Sequence, residues 1–143
     1  MNRVSAIVAV DANWGIGKGQ DLLIKDKVDQ AFFAGFTMGK ACLVGYNTLQ
    51  TLPPLSGRDI IEDGRSYLLG LKELYHNAQI GEVVVIGGAK TYKKYSKQIE
   101  TLYVTKFSET LDSDKYFDVD LFQHLENRVI VFKGKGFIIE RWN

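Results

Sequence analysis

Unbroken runs of apolar residues alternate along this chain with segments whose apolar positions recur at helical spacing. The runs Ala6–Val10, Ala41–Val44 and Val83–Ile86 are typical of strands covered on both faces of a sheet. Strands that alternate with helices predict an α/β fold with a mainly parallel central sheet and helices on both faces. The helical patterns cover Lys27–Phe36, Thr48–Leu52, Leu71–Ala78 and Ala89–Ser96.

The C-terminal part of the chain has a different pattern. Leu102–Thr105 is a predicted strand, and Arg128–Phe132 and Phe137–Trp142 flank the glycine-containing turn Lys133–Gly136. This arrangement predicts a C-terminal antiparallel hairpin. No repeat, low-complexity tract or linker divides the sequence, so we expect a single domain over residues 1–143.

The composition excludes several classes of function. With 143 residues, of which 45% are hydrophobic, the chain is long enough to bury a core without disulfides. A net charge of +1 gives no indication of a nucleic-acid or anionic membrane surface. The single cysteine, Cys42, lies in an apolar run and is expected to be a core residue in a reducing compartment. The N-terminal apolar run is too short for a membrane span or a signal peptide, so we expect a cytoplasmic protein.

Asp29 is the candidate catalytic residue that the pattern indicates. Phe32, Phe33 and Phe36 follow it at helical spacing and share its face of the predicted helix. An ionised acid in an apolar wall is costly, so the pKa of Asp29 should rise and the side chain can hold a proton near neutrality, as a catalytic acid does. Alternatively, Asp29 lies in water at the edge of the stripe or caps the first turn of the helix.

Two predicted strands run through glycine directly into a helix. Gly45 follows Val44, and the pair Gly87-Gly88 follows Ile86. Glycine lets a ligand approach the backbone, and ligands of open parallel sheets bind at the carboxyl ends of the strands. Neither turn has the full G-x-G-x-x-G spacing, and tight turns need glycine too, so a two-phosphate ligand and a purely structural turn both remain open.

In their order along the chain, these landmarks resemble the dihydrofolate reductase family. Residues 6–24 look like the family's first strand and mobile active-site loop, and Asp29 falls at its acidic position. The other matching segments are Val44 through Thr48, Leu52-Pro53, Ile86-Gly87-Gly88 with Tyr92, Leu102–Thr105 and Asp112–Phe117. The resemblance implies an enzyme that reduces dihydrofolate to tetrahydrofolate with NADPH, or with NADH as an alternative cofactor.

The resemblance also implies roles for individual residues. Asp29 would bind the 2-amino group and N3 of the pterin and, with Thr105 and water, would promote protonation of N5 while hydride reaches C6. Leu22 would close the loop of residues 11–26 over the nicotinamide, with glycines 15, 17 and 19 as pivots. The other substrate contacts would be Ile7, Val8, Phe33, Leu52 and Ile86, with the carbonyls of Ile7 and Ile86 accepting from the pterin amino group. The other cofactor contacts would be Ala9, Ile16 and Gly17 at the nicotinamide carboxamide, and Gly45, Thr48, Gly87, Gly88, Lys90 and Tyr92 along the dinucleotide. The family has a non-proline cis peptide at Gly87-Gly88.

Three positions depart from the family's pattern. Ile24 stands where the family usually has an aromatic residue that orders a water near the acid, so proton delivery is expected to be altered. Tyr46 replaces the usual Arg after Gly45, and Lys90 replaces the Arg after the glycine pair. With fewer cations facing the 2′-phosphate, we expect a weakened preference for NADPH over NADH.

The segment from Pro53 to Gln79 is several residues shorter than in the family, which puts one edge strand in doubt. The family places an Arg there, just before a strand, that binds the α-carboxylate of folate. Arg58 and Arg65 both fit this position. A solvent-exposed surface charge is the alternative for each of them.

We expect a monomer that binds dihydrofolate and antifolates such as methotrexate, and no metal, nucleic acid or membrane. Without the resemblance, the apolar candidates Ile7, Val8, Phe33, Leu52 and Ile86 would be assigned to the core. Two other functions stay open. One is a pyrimidine reductase of riboflavin synthesis, which shares this fold, and the other is a catalytically silent binding or assembly protein.

Overall fold

The computed structural model describes residues 3–18, 21–22, 26–52, 56–63 and 82–143. The strands in these ranges are β1 (Arg3–Val10), β2 (Gly15–Lys18), β3 (Asp21–Leu22), β4 (Ala41–Val44), β5 (Asp59–Glu62), β6 (Glu82–Gly87), β7 (Thr101–Phe107), β8 (Lys115–Tyr116), β9 (Arg128–Gly134) and β10 (Phe137–Trp142). The helices are α1 (Lys27–Thr37), α2 (Tyr46–Leu49), α3 (Ala89–Lys94) and a 3-10 helix at Val119–Phe122. The helix predicted over Leu71–Ala78 lies outside the described residues. Within the described ranges, every helix falls short of the length and apolar character that crossing a bilayer requires.

The central sheet has the strand order β5-β4-β6-β1-β7-β10-β9. Its first five strands are mutually parallel, whereas β10 is antiparallel to both β7 and β9. The β9–β10 hairpin turns at Lys135 and Gly136, and Gly136 has a φ of 81°, where a glycine is favoured. The predicted mainly parallel sheet and the C-terminal hairpin are both confirmed.

Helices cover both faces of this sheet. Neighbouring residues of a strand point to opposite faces, so each buried strand contributes to two apolar clusters. On one face, Tyr92 of α3 packs in the same cluster as Val8 and Val85. On the other face, Phe33 of α1 and Leu49 of α2 pack against a cluster whose buried members are Ile7, Cys42, Val44, Val84 and Ile86. The prediction of helices on both faces is therefore confirmed.

Cys42 lies in the second of these clusters and is fully buried. Burial raises the pKa of its thiol to about 11, so the reactive thiolate is scarce at neutral pH. Its assignment to the core is confirmed.

The ends of two helices differ from the sequence prediction. Helix α2 begins at Tyr46 rather than Thr48, because the extended backbone of Gly45 already forms its N-cap, and it ends at Leu49. Helix α3 ends at Lys94 rather than Ser96, whose N–H bonds the Lys93 carbonyl in a tighter turn.

The segment 11–26, expected from the resemblance to be a loop, contains two short strands. In a second, smaller sheet, β2 pairs antiparallel with β3 on one side and with β8 on the other. The prediction missed these strands because a glycine-rich polar stretch shows no alternation of apolar residues. Gly19 and Ile24 lie outside the described residues.

An edge strand is present in the middle segment, where the sequence had left one in doubt. Strand β5 pairs in parallel with β4, with Asp59 opposite Ala41 and Glu62 opposite Val44. Arg58 directly precedes this strand. Arg65 and the strand predicted after it lie outside the described residues.

Candidate active site

Helix α1 carries Asp29 in its first turn because Asp26 caps the helix. The Asp26 carboxylate accepts hydrogen bonds from the backbone N–H groups of Val28 at 2.9 Å and Asp29 at 3.0 Å. The alternative in which Asp29 itself caps the helix is therefore wrong. Its side chain points to the sheet instead.

Asp29 contacts the sheet through one short hydrogen bond. Thr105 Oγ1 on β7 donates to Asp29 Oδ1 at 2.6 Å. Thr105 is only 1% exposed, with Ala9 of β1 on one side and Ile139 of β10 on the other. Because both neighbouring strands fix the backbone of β7, the hydroxyl holds one oxygen of a half-buried carboxylate in a defined place.

The environment of Asp29 raises the pKa of its carboxyl group above the ordinary value. Burial is the largest cause, since it penalises the charged form, and the negative charge of Asp26 adds to it. The hydrogen bond from Thr105 acts in the opposite direction because it stabilises the carboxylate, but it does not cancel the effect of burial. The group is thus biased toward holding a proton.

The wall beside Asp29 is apolar. Ile7 and Ile86 lie on this face of the sheet, and Phe33 of α1 packs against the same cluster. The other partly buried side chains here are Phe32, Phe36, Leu49, Leu52, Ile60 and Tyr103. Four of the residues implied for the substrate, Ile7, Phe33, Leu52 and Ile86, are therefore brought together beside the acid.

Val8 does not join them through its side chain. It follows Ile7 on β1, so its side chain points to the opposite face and packs in the cluster that contains Tyr92. On the Asp29 face of the sheet, only the backbone of Val8 is available to contact a ligand.

The two glycine turns meet at the carboxyl edge of the sheet. The N–H of Gly45 donates to the carbonyl of Gly87 at 2.8 Å, and the Gly87-Gly88 peptide bond is cis. A Cβ on Gly45 would lie 2.7 Å from Thr91 Oγ1, and one on Gly88 would lie 2.8 Å from Thr48 Oγ1. Bare backbone is thus required at both turns, beside two hydroxyl groups, and such a surface fits the phosphates of a dinucleotide.

Tyr92 has a role that sequence reasoning missed. It is buried, and its hydroxyl donates to the Ile7 carbonyl at 2.6 Å. Burial raises the pKa of this phenol, so the donor keeps its proton. Tyr92 fixes the strand that carries Ile7, whereas Lys90, two positions earlier on α3, is exposed.

The residues implied for the nicotinamide belong to adjoining strands. Ala9 of β1 is the direct neighbour of Thr105. Gly17 of β2 pairs with Leu22 of β3. Ile16 is partly buried against the apolar cluster that contains Tyr92 of α3. This group therefore begins next to the residue that holds Asp29.

Asp11 fastens the β1–β2 turn and was not singled out from the sequence. Its Oδ1 accepts from the N–H groups of Asn13 and Gly15, both at 2.8 Å, and its Oδ2 accepts from Leu111 N–H at 3.0 Å and Ser113 Oγ at 3.2 Å. A Cβ on Gly15 would overlap Ser113 Oγ, so the two segments pack closely. In the sequence, the only sign of this role was the position of an acidic residue directly after a buried strand.

Arg58 lies at the far end of α1 from Asp29. Its Nε donates to Thr37 Oγ1 at 3.1 Å, and its two terminal nitrogens donate to the carbonyls of Ser56 and Ala34, both at 2.6 Å. These bonds use three of the five N–H donors of a guanidinium group. The arginine is held rigidly and retains donors for an anion.

Comparison with known proteins identifies the family. A family model described as dihydrofolate reductase matches residues 3–130. Dihydrofolate reductases from Schistosoma mansoni and Bacillus subtilis are 31% and 30% identical, and each alignment covers 80% of this chain and 77% or 74% of the relative. A solved dihydrofolate reductase from Enterococcus faecalis, complexed with NADP(H) and RAB-propyl, has the same fold, with a TM-score of 0.77 at 21% identity over 99% of this chain and 95% of its own. The chain belongs to the dihydrofolate reductase family.

Proposed function

We propose that this protein is an NADPH-dependent dihydrofolate reductase in which Asp29 promotes protonation of N5 of the bound pterin. The observation that carries the proposal is the contact of Thr105 with Asp29, which holds a carboxyl group of raised pKa in an apolar wall. When bound, NADPH supplies the hydride for C6. The chain supplies orientation, exclusion of water and one acid–base group.

The pterin is proposed to bind between α1 and the end of β1. The Thr105 hydroxyl donates to Asp29 Oδ1. We propose that the remaining hydrogen-bonding positions of the carboxyl group bind N3 and the 2-amino group of the pterin. The carbonyls of Ile7 and Ile86 complete this set. The Ile7 carbonyl already accepts from Tyr92, but a carbonyl oxygen has a second lone pair for the pterin amino group.

We assign the α-carboxylate of the substrate to Arg58 rather than Arg65. Arg58 hydrogen-bonds to Ala34 and Thr37 in the last turns of α1, about 12 Å along the helix from Asp29. The two ends of one helix would then hold the two ends of the substrate, with Phe33 and Leu52 packing on the rings between them.

The dinucleotide is proposed to follow the carboxyl edge of the sheet. Ala9, Ile16 and Gly17 would hold the nicotinamide, and Leu22 would cover it. The bare backbone at Gly45, Gly87 and Gly88, with Thr48 and Tyr92 beside it, supports the placement of the phosphates, and Lys90 would reach them from solvent.

We further propose that the protein acts in the cytoplasm as a monomer and takes part in no nucleic-acid or membrane binding. Its ligands are dihydrofolate and antifolates such as methotrexate. The family assignment does not favour the pyrimidine reductase or the silent binding protein.

The direct test is loss of NADPH absorbance when dihydrofolate is added to the purified protein. We expect turnover that methotrexate abolishes, together with a rise in melting temperature on methotrexate binding, because a ligand that binds only the folded state stabilises it. Cofactor binding without turnover would contradict the proposal and favour the binding protein.

The assignment of Arg58 has its own test. Arg58→Lys should raise the KM for dihydrofolate and leave kcat nearly unchanged, because the α-carboxylate is bound equally in the ground and transition states. Dihydropteroate, which lacks the glutamate, should be reduced equally well by both proteins. An equal loss on both substrates would show that Arg58 only supports α1.

A further inference from the structure

The carboxyl end of β5 lies on the path that we propose for the cofactor, beyond the phosphates. In the order β5-β4-β6-β1, Ala9, which we assign to the nicotinamide, lies on β1, and the glycine turns follow β6 and β4. A dinucleotide that runs along this edge therefore brings its adenosine half to β5, three strand spacings or about 14 Å from β1. Asp63 is the first residue after β5, and its N–H donates to the Val44 carbonyl at 2.7 Å.

The carboxylate of Asp63 is held in place by α3 and the turn that follows it. Its Oδ1 accepts from the Tyr95 hydroxyl at 2.7 Å and from Lys94 Nζ at 3.1 Å, and its Oδ2 accepts from Lys94 Nζ at 3.2 Å. The side chain of Asp63 is 17% exposed, whereas that of Lys94 is 56% exposed. The carboxylate is thus a fixed acceptor at the carboxyl end of β5, with an exposed ammonium group beside it.

Among the residues that the structure describes, the charges around this point do not form a phosphate site. Lys94 Nζ forms an ion pair with Asp63 Oδ1 at 3.1 Å, and the hydrogen bond to Asp63 raises the pKa of Lys94. Glu62 adds a second acidic residue at the end of β5, and the exposed residue that follows Gly45 is a tyrosine and not a basic residue. A 2′-phosphate would have to take Lys94 away from Asp63 and then lie beside an unpaired carboxylate.

We infer that Asp63 is a specificity-determining residue for the cofactor: its carboxylate accepts a hydrogen bond from the 2′-hydroxyl of the adenosine ribose and repels a 2′-phosphate, so the protein accepts NADH about as readily as NADPH. An acid at the end of a strand that binds a ribose 2′-hydroxyl is a general feature of NAD sites in other nucleotide-binding folds. The inference rests on the proposed function, since it places the adenosine relative to the nicotinamide.

Calorimetric titration of the purified protein with NADPH and with NADH tests this without any need for turnover. The two dissociation constants should lie within about tenfold of each other. Asp63→Asn, which keeps the shape and the acceptor oxygen but removes the charge, should shift their ratio about tenfold toward NADPH. Asp63→Ser should shift it in the same direction and serves if the amide variant does not fold.

Two further variants complete the design. Lys94→Gln should shift the ratio toward NADH, because the carboxylate then lacks its counter-ion. Asp59→Asn is the matched control, since Asp59 is an exposed acid at the opposite end of β5, and its loss should leave the ratio unchanged.

Three results would overturn the inference. The first is wild-type protein that binds NADPH more than about a hundredfold tighter than NADH. The second is an unchanged ratio in a folded Asp63 variant while both cofactors still bind, which would leave the proposed reductase intact. The third is failure of both cofactors to bind, which would overturn the proposed function as well.

Discussion

Asp11, the first residue after β1, and Asp29, in the first turn of α1, are two carboxylates screened from water, and their pKa values move in opposite directions. Burial alone would raise the pKa of Asp11, but hydrogen bonds from Gly15, Leu111, Asn13 and Ser113 outweigh it and lower the pKa. Within the described part of the chain, Asp29 accepts one side-chain hydrogen bond, from the Thr105 hydroxyl, and its pKa is raised. Burial acts in the same direction on both groups, so the hydrogen-bond donors decide whether the net pKa shift is upward or downward.

The difference separates structural from chemical use of the same side chain. A carboxylate with four donors is stabilised as an anion and joins the β1–β2 turn to the 109–114 segment. A carboxyl group with one donor in an apolar wall is poised to exchange a proton, which the proposed reaction requires.

Loss of the Asp29 carboxyl group should have the largest effect. Asp29→Asn should lower kcat/KM at neutral pH by about 10²- to 10⁴-fold, the usual contribution of a positioned acid–base group. The deficit should shrink as the pH falls, because solvent then supplies protons. Steady-state rates measured from weakly acidic to neutral pH give both the loss of kcat/KM and its dependence on pH.

Asp29→Asn must still bind the cofactor for this result to be informative. Titration with NADPH should give nearly the wild-type dissociation constant, since Asp29 is assigned to the substrate. Wild-type turnover in the variant would remove Asp29 from the mechanism.

The corresponding substitution of the other carboxylate, Asp11→Asn, should lower the stability of the protein. Asp11→Asn replaces an acceptor oxygen with an amide that faces N–H donors, and hydrogen bonds to charged groups contribute about 1.5–3 kcal/mol each. We expect a loss of at least one such contribution from the free energy of unfolding at neutral pH, measured by urea denaturation. Because the folded pKa is lowered, the stabilisation is present above the unfolded pKa of aspartate and is lost as the pH falls through the folded pKa. A penalty that does not change with pH would contradict the ionic role of Asp11.

Thr105→Val tests the single donor to Asp29. The valine keeps the shape of Thr105 but removes a hydrogen bond that stabilises the carboxylate, so the pKa of Asp29 should rise further. The fall in hydride-transfer rate with rising pH should therefore move to higher pH. Thr105→Ser, which keeps the hydroxyl, should leave the profile near that of the wild type.

The smallest expected effect is that of Asp29→Asn on stability, and it is opposite in sign to that of Asp11→Asn. Because the folded pKa of Asp29 is raised, its relative contribution to stability is fully present below the unfolded pKa and is lost as the pH rises through the folded pKa. Asp29→Asn should therefore stabilise the protein at neutral pH, by about 0.5–2 kcal/mol, as substitutions at strained functional sites often do. Thermal melts should show this gain disappear at low pH.

The sequence predicted elements whose apolar residues repeat regularly. Strands β4 and β10 begin and end where the apolar runs do, and α1 extends only one residue beyond its predicted end. Strands β2, β3 and β8 were not predictable in this way, because their pairing depends on contacts between distant glycine-rich and polar segments.

The same distinction applies to the candidate site: residues in a local pattern were predictable, whereas their distant partners were not. Helical spacing indicated Asp29, whereas its partner Thr105 lies 76 positions later and came only from the family resemblance. Asp11 was missed because two of its donors lie at least 100 positions away. The opposite orientations of Ile7 and Val8 follow from strand periodicity once β1 is known.

The central claim is that donor number sets the two carboxylates apart. Carbon-13 NMR titration of the aspartate carboxyl groups in the ligand-free protein tests it most directly, with Asp29→Asn and Asp11→Asn used to assign the two signals. We predict that Asp29 titrates above the ordinary aspartate value of 3.8 and Asp11 below it. Titration of Asp29 at or below the ordinary value would contradict its assignment as the proton-handling group.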